Sequence, residues 1–173
     1  MIRIATAECF THGLIGVEIH AFSRGYPLKY GLKLNNDEYN LSLVAGIFIP
    51  TLFGIRNILN FEPEIPDEVI DDIKVYDQKS DNIMALKMAQ AVRELNCCDI
   101  GIGTTAGIGR GAVAIAGFGQ NRLCMSDVYA DLRNSDPQTI LKRQDSGVKK
   151  GLRMLEKMIK NEMSCDSGEV ISF

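Results

Sequence analysis

The chain has little of what usually announces a function. It carries only two histidines, and its five cysteines, at positions 9, 97, 98, 124 and 165, include no Cys-x-x-Cys pair, which argues against a zinc site. An odd number of scattered cysteines also argues against a disulfide scaffold and fits free thiols in a reducing cytoplasm. Lys and Arg number 19 against 22 Asp and Glu, and the formal net charge is −3. No basic block stands out, so neither nucleic acid nor a membrane surface is the expected partner, and a small molecule is. The longest uncharged run, Tyr39 to Ile55, is broken by Ser42, Pro50 and Thr51 and falls short of the ~20 apolar residues of a membrane span. The N-terminal stretch has no basic segment followed by an apolar run and a cleavage site, so secretion is not expected. Internal repeats and low-complexity segments are absent.

What is present is a chain of 173 residues with 46% hydrophobic content, enough for one core and one α/β domain over residues 1–173. The last eight or so residues are expected to fray. Residues 2–7 read as a first strand, and Leu14, Ile15, Ile19 and Phe22 recur at helical spacing in the segment that follows. Leu41 to Ile49 reads as a buried strand ended by Pro50, a favoured first residue for a short helix to Asn60. Pro63, Pro66 and several acids mark Phe61 to Asp72 as an exposed loop, and a short strand begins at Ile73. Ser80 is placed to cap a helix whose Met84, Met88, Ala91, Val92 and Leu95 form one apolar face. Strand-like runs follow at Asp99 to Thr105, Gly111 to Gly119 and Arg122 to Leu132, and a final helix is expected from Pro137 to Met163. In that helix Leu141, Val148, Leu152, Leu155 and Ile159 line one side, and Lys142, Lys149 and Lys150 fall on the solvated remainder. Gly147 and Gly151 stand one turn apart inside it, where glycine costs helix stability, which implies close packing or a kink.

Residues 5–13, reading ATAECFTHG, combine a thiol, a carboxylate, two hydroxyls, an imidazole and a glycine at a strand-to-helix junction. Such junctions line the ligand crevice of open α/β sheets. Free amides and the partial positive charge at a helix N-terminus would bias Cys9 toward thiolate and hold an oxyanion beside it. His12 is placed to take the thiol proton or polarise a carbonyl. The plainer readings are Cys9 as a small buried hydrophobe, Thr11 as an N-cap, Glu8 as a ligand for helix amides and His12 as a solvated helix-end residue. A second candidate is residues 101–111, GIGTTAGIGRG, where glycines permit close backbone approach and Thr104, Thr105 and Arg110 can bind phosphate or carboxylate oxygens. A dinucleotide-binding turn does not fit, because Gly101 and Gly103 fall within a strand and no helical pattern follows. A glycine-rich hairpin is the plain reading. Cys97, Cys98, Cys124 and Cys165 read as packing or surface thiols.

Two segments carry a resemblance. Residues 6–13 and 99–109 resemble the TAESCTGG and TGxAGP signatures of the CinA C-terminal domain, the nicotinamide-nucleotide amidase fold, in order and separation. That resemblance covers roughly the first 120 residues and implies a three-layer α/β/α sandwich with a mixed sheet. The chain departs from the amidase pattern at Cys9-Phe10, at His12-Gly13 and at Ile108, which stands where the signature has proline. Over its whole length, and notably in residues 5–13, 18–21 (EIHA) and 25–27 (GYP), it more closely resembles the HcgF family of iron-guanylylpyridinol cofactor biosynthesis. The resemblance implies a cytoplasmic enzyme in which Cys9 attacks the carboxyl of guanylylpyridinol, adenylated beforehand by a partner enzyme, releases AMP and forms a protein-bound thioester. It implies no cofactor or metal of the protein's own. Cys9, His12 and Glu8 are the expected catalytic residues. Thr6, Thr11, Gly13, Thr104, Thr105, Ala106, Gly107, Gly109 and Arg110 are the expected substrate-binding set, with residues 104–110 holding the guanylyl phosphate or base. The alternatives are an amidohydrolase on a nicotinamide-type nucleotide and a non-catalytic guanylyl-nucleotide-binding module. Apolar surface between Leu41 and Leu59 is expected to support a homodimer.

Overall fold

A computed structural model describes residues 1–162. The expected fraying of the last residues and Cys165 lie outside the described residues; the final helix, expected to reach Met163, ends at Ile159, with Asn161 in left-handed backbone just beyond it.

The sheet is built on β1 (Ile2–Glu8), whose alternation sends Ile4, Thr6 and Glu8 to one face and Ala5 and Ala7 to the other. β1 pairs in parallel with both β2 (Leu41–Phe48) and β5 (Ile100–Thr105). The hairpin strands β7 (Ala112–Gly117) and β8 (Gln120–Cys124) then extend the sheet in antiparallel fashion, for an order β2-β1-β5-β7-β8. Helices α1 (Leu14–Arg24) and α4 (Pro137–Ile159) contribute Ile15, Ile19, Phe22, Val148, Leu152 and Leu155 to a core with Ile4, Ile102 and Val113 on one face. Helix α3 (Gln78–Leu95) covers the other face with Met84, Met88 and Val92, aided by α2 (Leu52–Gly54) and the π-helical turn Ile55–Leu59 that continues it. The result is a three-layer α/β/α sandwich around a mixed sheet. Two short ladders lie outside it: β3 (Glu68–Ile70) with β4 (Ile73–Val75), and β6 (Ile108–Gly109) with β9 (Ala130–Asp131). No helix among the described residues is long and apolar enough to cross a membrane.

Glycine decides how closely α3 lies on β5. A Cβ built on Gly101 would sit 2.0 Å from the Ala89 carbonyl oxygen, and one on Gly103 would sit 2.1 Å from that of Ala85. Backbone cannot yield at such distances, so the glycines of this strand admit a helix. The final helix repeats the device. A Cβ on Gly147 would meet the Phe10 ring at 2.5 Å, and one on Gly151 would meet Ile15 at 2.9 Å and Val113 at 3.0 Å. Close packing is thus the reason for both helical glycines.

Several expectations need correction. The strand at Leu41 is not buried; it is the sheet edge, paired only with β1, and Val44 and Phe48 are about half exposed. Thr51 and not Pro50 starts the following helix, its hydroxyl accepting the Gly54 N–H. The segment expected to be loop up to Asp72 contains β3. Asp77 caps α3 by accepting the Ser80 N–H, because an aspartate just before the first turn outcompetes a serine within it. The run from Arg122 divides into β8 and β9. In α4 the inward stripe is rotated near its start: Leu141 is half exposed and Arg143 takes the buried place.

Candidate functional site

The strand order reverses direction at β1. From there the chain runs by α1 to β2 on one side and later reaches β5 on the other, through α3 on the opposite face. Helices leaving on opposite faces open a crevice at the carboxyl end of the strand between them. Cys9 is the first residue beyond that end. Its N–H donates to both the carbonyl oxygen (3.0 Å) and the hydroxyl (3.0 Å) of Thr104 at the end of β5, which pins the thiol-bearing backbone to the sheet.

The turn after Cys9 is tight. The His12 N–H donates to the Cys9 carbonyl at 3.1 Å, and His12 and Gly13 both adopt left-handed backbone, with φ of 53° and 79°. Gly13 occupies the N-cap position of α1 and contributes no side-chain cap. Thr11 is therefore not the N-cap. The cap is delivered from the sheet by Glu8: its fully buried carboxylate accepts the Ile15 N–H at 3.1 Å, the Gly16 N–H at 2.8 Å and the Thr11 hydroxyl at 2.6 Å. Thr11 and Thr104 share a further hydroxyl hydrogen bond at 2.8 Å. The amides expected to steady a thiolate or an oxyanion are thus already engaged by the chain's own carboxylate.

A cleft of about 230 Å³ opens beside this turn, lined by Cys9, Phe10, His12, Phe48, Ala106 and Arg143, with Leu132, Ile140 and Leu141 among its other walls. The His12 imidazole leans on the Phe48 ring at a centroid distance of 5.1 Å. Phe10 is held between Gly111 and Gly147, whose missing side chains make room for its ring. Cys9 is partly exposed. Burial pushes the Cys124 thiol up to about 12, and burial with help from Asp99 raises that of Cys98, so neither is primed to react.

The structure separates the expected residues into three groups. Cys9, His12 and Ala106 line the cleft. Glu8, Thr11 and Thr104 form the buried hydrogen-bonded cluster behind Cys9, with Gly13 completing the turn. The rest are engaged elsewhere. Thr6 is buried, with its hydroxyl against Gly16 and no hydrogen-bond partner among the described residues. Gly107 donates its N–H to Asp81 at 2.7 Å, and Thr105 is buried beside that carboxyl. Gly109 packs on Gln78, and Arg110 donates through Nε to the Ser126 carbonyl at 2.7 Å. Burial drives the Asp81 carboxyl up to about 7, against the pull of the Gly107 N–H, the Thr105 hydroxyl, Lys74 and Arg143.

Arg143 escaped the sequence reading. It is 1% exposed, and its Nη1 donates to the carbonyls of Gly107 (3.0 Å), Gly109 (3.1 Å) and Ala130 (2.8 Å). A signal existed: positions 143, 147 and 151 follow at intervals of four, so the face that carries the two packing glycines carries this arginine one turn earlier. Phe10 and Phe48 gave no signal, since either reads as ordinary core.

Comparison with known proteins places these observations in a family. The profile of the FeGP cofactor biosynthesis protein HcgF matches residues 1–159. A UPF0254 protein of Methanothermobacter thermautotrophicus (strain Winter) is 58% identical over 159 residues, covering 92% of this chain and 96% of its own. One from Methanocorpusculum labreanum is 50% identical over 159 residues, with 92% of each chain covered. Among solved structures, a competence or damage-inducible protein from Enterobacter asburiae superposes with a TM-score of 0.56 at 17% identity, over 91% of this chain and 87% of that one. The competence damage-inducible protein A (ComA) of Klebsiella pneumoniae gives 0.56 at 15% identity, over 94% and 89%. At such identities the likeness concerns the fold alone.

Proposed function

The chain belongs to the HcgF family of FeGP cofactor biosynthesis proteins, and from that premise we propose that Cys9 accepts the activated carboxyl of guanylylpyridinol as a protein-bound thioester. The observation that carries this reading is the position of Cys9. It lies just past β1 at the reversal of strand order, backbone-pinned by Thr104, and opens on a mainly apolar cleft. The substrate is guanylylpyridinol joined through its carboxyl to AMP by a separate adenylating enzyme. The Cys9 sulfur attacks the acyl carbon and a C–S bond forms. The bond from that carbon to the AMP phosphate oxygen breaks, and AMP leaves with the electron pair. The thiol proton passes to His12 at the cleft wall and on to solvent. AMP is a good leaving group, so the step asks little of a general acid. Glu8, Thr11 and Thr104 act as positioning residues that hold the turn.

A cleft of about 230 Å³ suits a ring and its acyl group, not a whole nucleotide. The guanylyl end then lies across Leu141, which also borders a neighbouring open cleft of about 520 Å³ carrying Gln138, Lys142, Asp145 and Lys149. The protein works in the cytoplasm as a homodimer, a reading supported by the exposed Val44, Phe53 and Ile58 on and after the edge strand β2. Intact mass measured after incubation with the adenylated substrate is expected to rise by one acyl group in the native protein and not in Cys9→Ala. An adduct that survives the substitution refutes the assignment. Ammonia release from a nucleotide amide would favour an amidohydrolase, and tight binding without an adduct a non-catalytic module.

A further inference from the structure

We propose that the Cys9 cleft contains an anion subsite built on Arg143, which receives a carboxylate or acyl oxygen of whatever becomes attached to the sulfur. The inference deepens the thioester reading but stands on separate observations. Arg143 is a buried guanidinium with five N–H donors, yet its hydrogen bonds run from Nη1 alone, and Nε has no partner among the described residues. No carboxylate forms an ion pair with it among those residues: Asp131 is committed to Arg133, and Asp81 accepts the Gly107 N–H. A buried cation without a paired anion is costly, and an anion entering the cleft beside it would offset that cost. Arg143 and Cys9 line the same cleft. The other expected anion holder, the N-terminus of α1, is filled by Glu8. Among the described residues that line the cleft, Arg143 is the one lysine or arginine.

A purely structural Arg143, clamping three carbonyls, predicts no preference for charge in what reaches Cys9. Iodoacetate and iodoacetamide separate the two roles, since they differ by one negative charge. With either reagent the thiolate sulfur displaces iodide, a C–S bond replaces C–I, and the thiol proton goes to buffer. Rates are read for each cysteine by peptide mass spectrometry, with the exposed Cys97 as internal reference. The iodoacetate-to-iodoacetamide rate ratio at Cys9 is expected to exceed that at Cys97 by about tenfold or more, the gain from one charge-assisted hydrogen bond. Arg143→Lys should keep most of the excess and Arg143→Gln should abolish it. Should the variants fail to fold, the native protein still decides: benzoate should protect Cys9 from iodoacetamide where benzamide does not. Equal ratios at Cys9 and Cys97, an excess that persists in Arg143→Gln, or equal protection by benzoate and benzamide would overturn the subsite. None of these assays uses an acyl adenylate, so a missing thioester and a missing subsite are told apart.

Discussion

Replacing Glu8 by glutamine tests whether this carboxylate is part of the chemistry or the anchor of the turn that presents Cys9. The native carboxylate accepts three hydrogen bonds on two oxygens, from Thr11, Ile15 and Gly16. Glutamine keeps one oxygen and turns an NH2 toward a donor, so at least one buried N–H or O–H loses its acceptor, at about 1–3 kcal/mol. Removing the negative charge from the N-terminus of α1 forfeits up to about 2 kcal/mol more. Relief from burying a charge offsets part of this, which leaves an expected loss of about 3 kcal/mol. With a urea dependence of about 2 kcal/mol per molar for a domain of this size, the unfolding midpoint should fall by about 1.5 M. Because Thr11 links Glu8 to Thr104, and Thr104 holds the Cys9 N–H, alkylation of Cys9 should change with it while that of Cys97 stays constant. A midpoint shifted by less than about 0.5 M would refute the anchoring argument. An unchanged midpoint with acylation abolished would place Glu8 in the chemistry itself.

Asp81, raised from 3.8 to about 7 by burial, stays protonated in the folded protein after it has ionised in the unfolded chain. The folded state holds the extra proton, so the contribution is fully present below pH 3.8 and is lost as pH rises toward about 7, to the extent of about 4 kcal/mol. Asp81→Asn should flatten the pH dependence of the urea midpoint between pH 4 and 7 relative to the native protein, and an identical dependence in both would contradict this. Gly147→Ala places a methyl 2.5 Å from the Phe10 ring. Its overpacking should outweigh the gain in helix propensity, with a net loss of about 1–2 kcal/mol by urea unfolding and altered Cys9 alkylation; a more stable protein would show that Phe10 moves freely. Phe53 is 69% exposed, and Phe53→Glu should convert a dimer to a monomer in sedimentation velocity, whereas a native protein that sediments as a monomer removes the homodimer.

The local elements were legible because their signals are local. Alternation in residues 2–7, the helical spacing from Met84 to Val92 and the apolar spacing of the last helix each depend on neighbours a few residues away, and the corresponding strand and helices are present. Legibility failed where two distant segments compete for one role. Thr11 looks like a cap until Glu8, from the strand before it, takes the helix amides. The strand at Leu41 looks buried because its apolar run does not reveal that only β1 flanks it. The glycines at 101 and 103 look like a ligand's approach until α3 is seen to occupy the space.

From the sequence alone, Cys9 stands at a strand-to-helix junction, and the motifs around residues 6–13 and 99–109 carry the family resemblance, because chain order and residue type are written there directly. Only the tertiary structure decided the surroundings of that thiol. It assigned the helix amides to Glu8, the Cys9 backbone to Thr104 and a buried guanidinium to the cleft from a helix more than 130 residues away. The physical reason is that a hydrogen bond or a charge acts over a few ångströms of space and carries no mark of its partner in the linear chain.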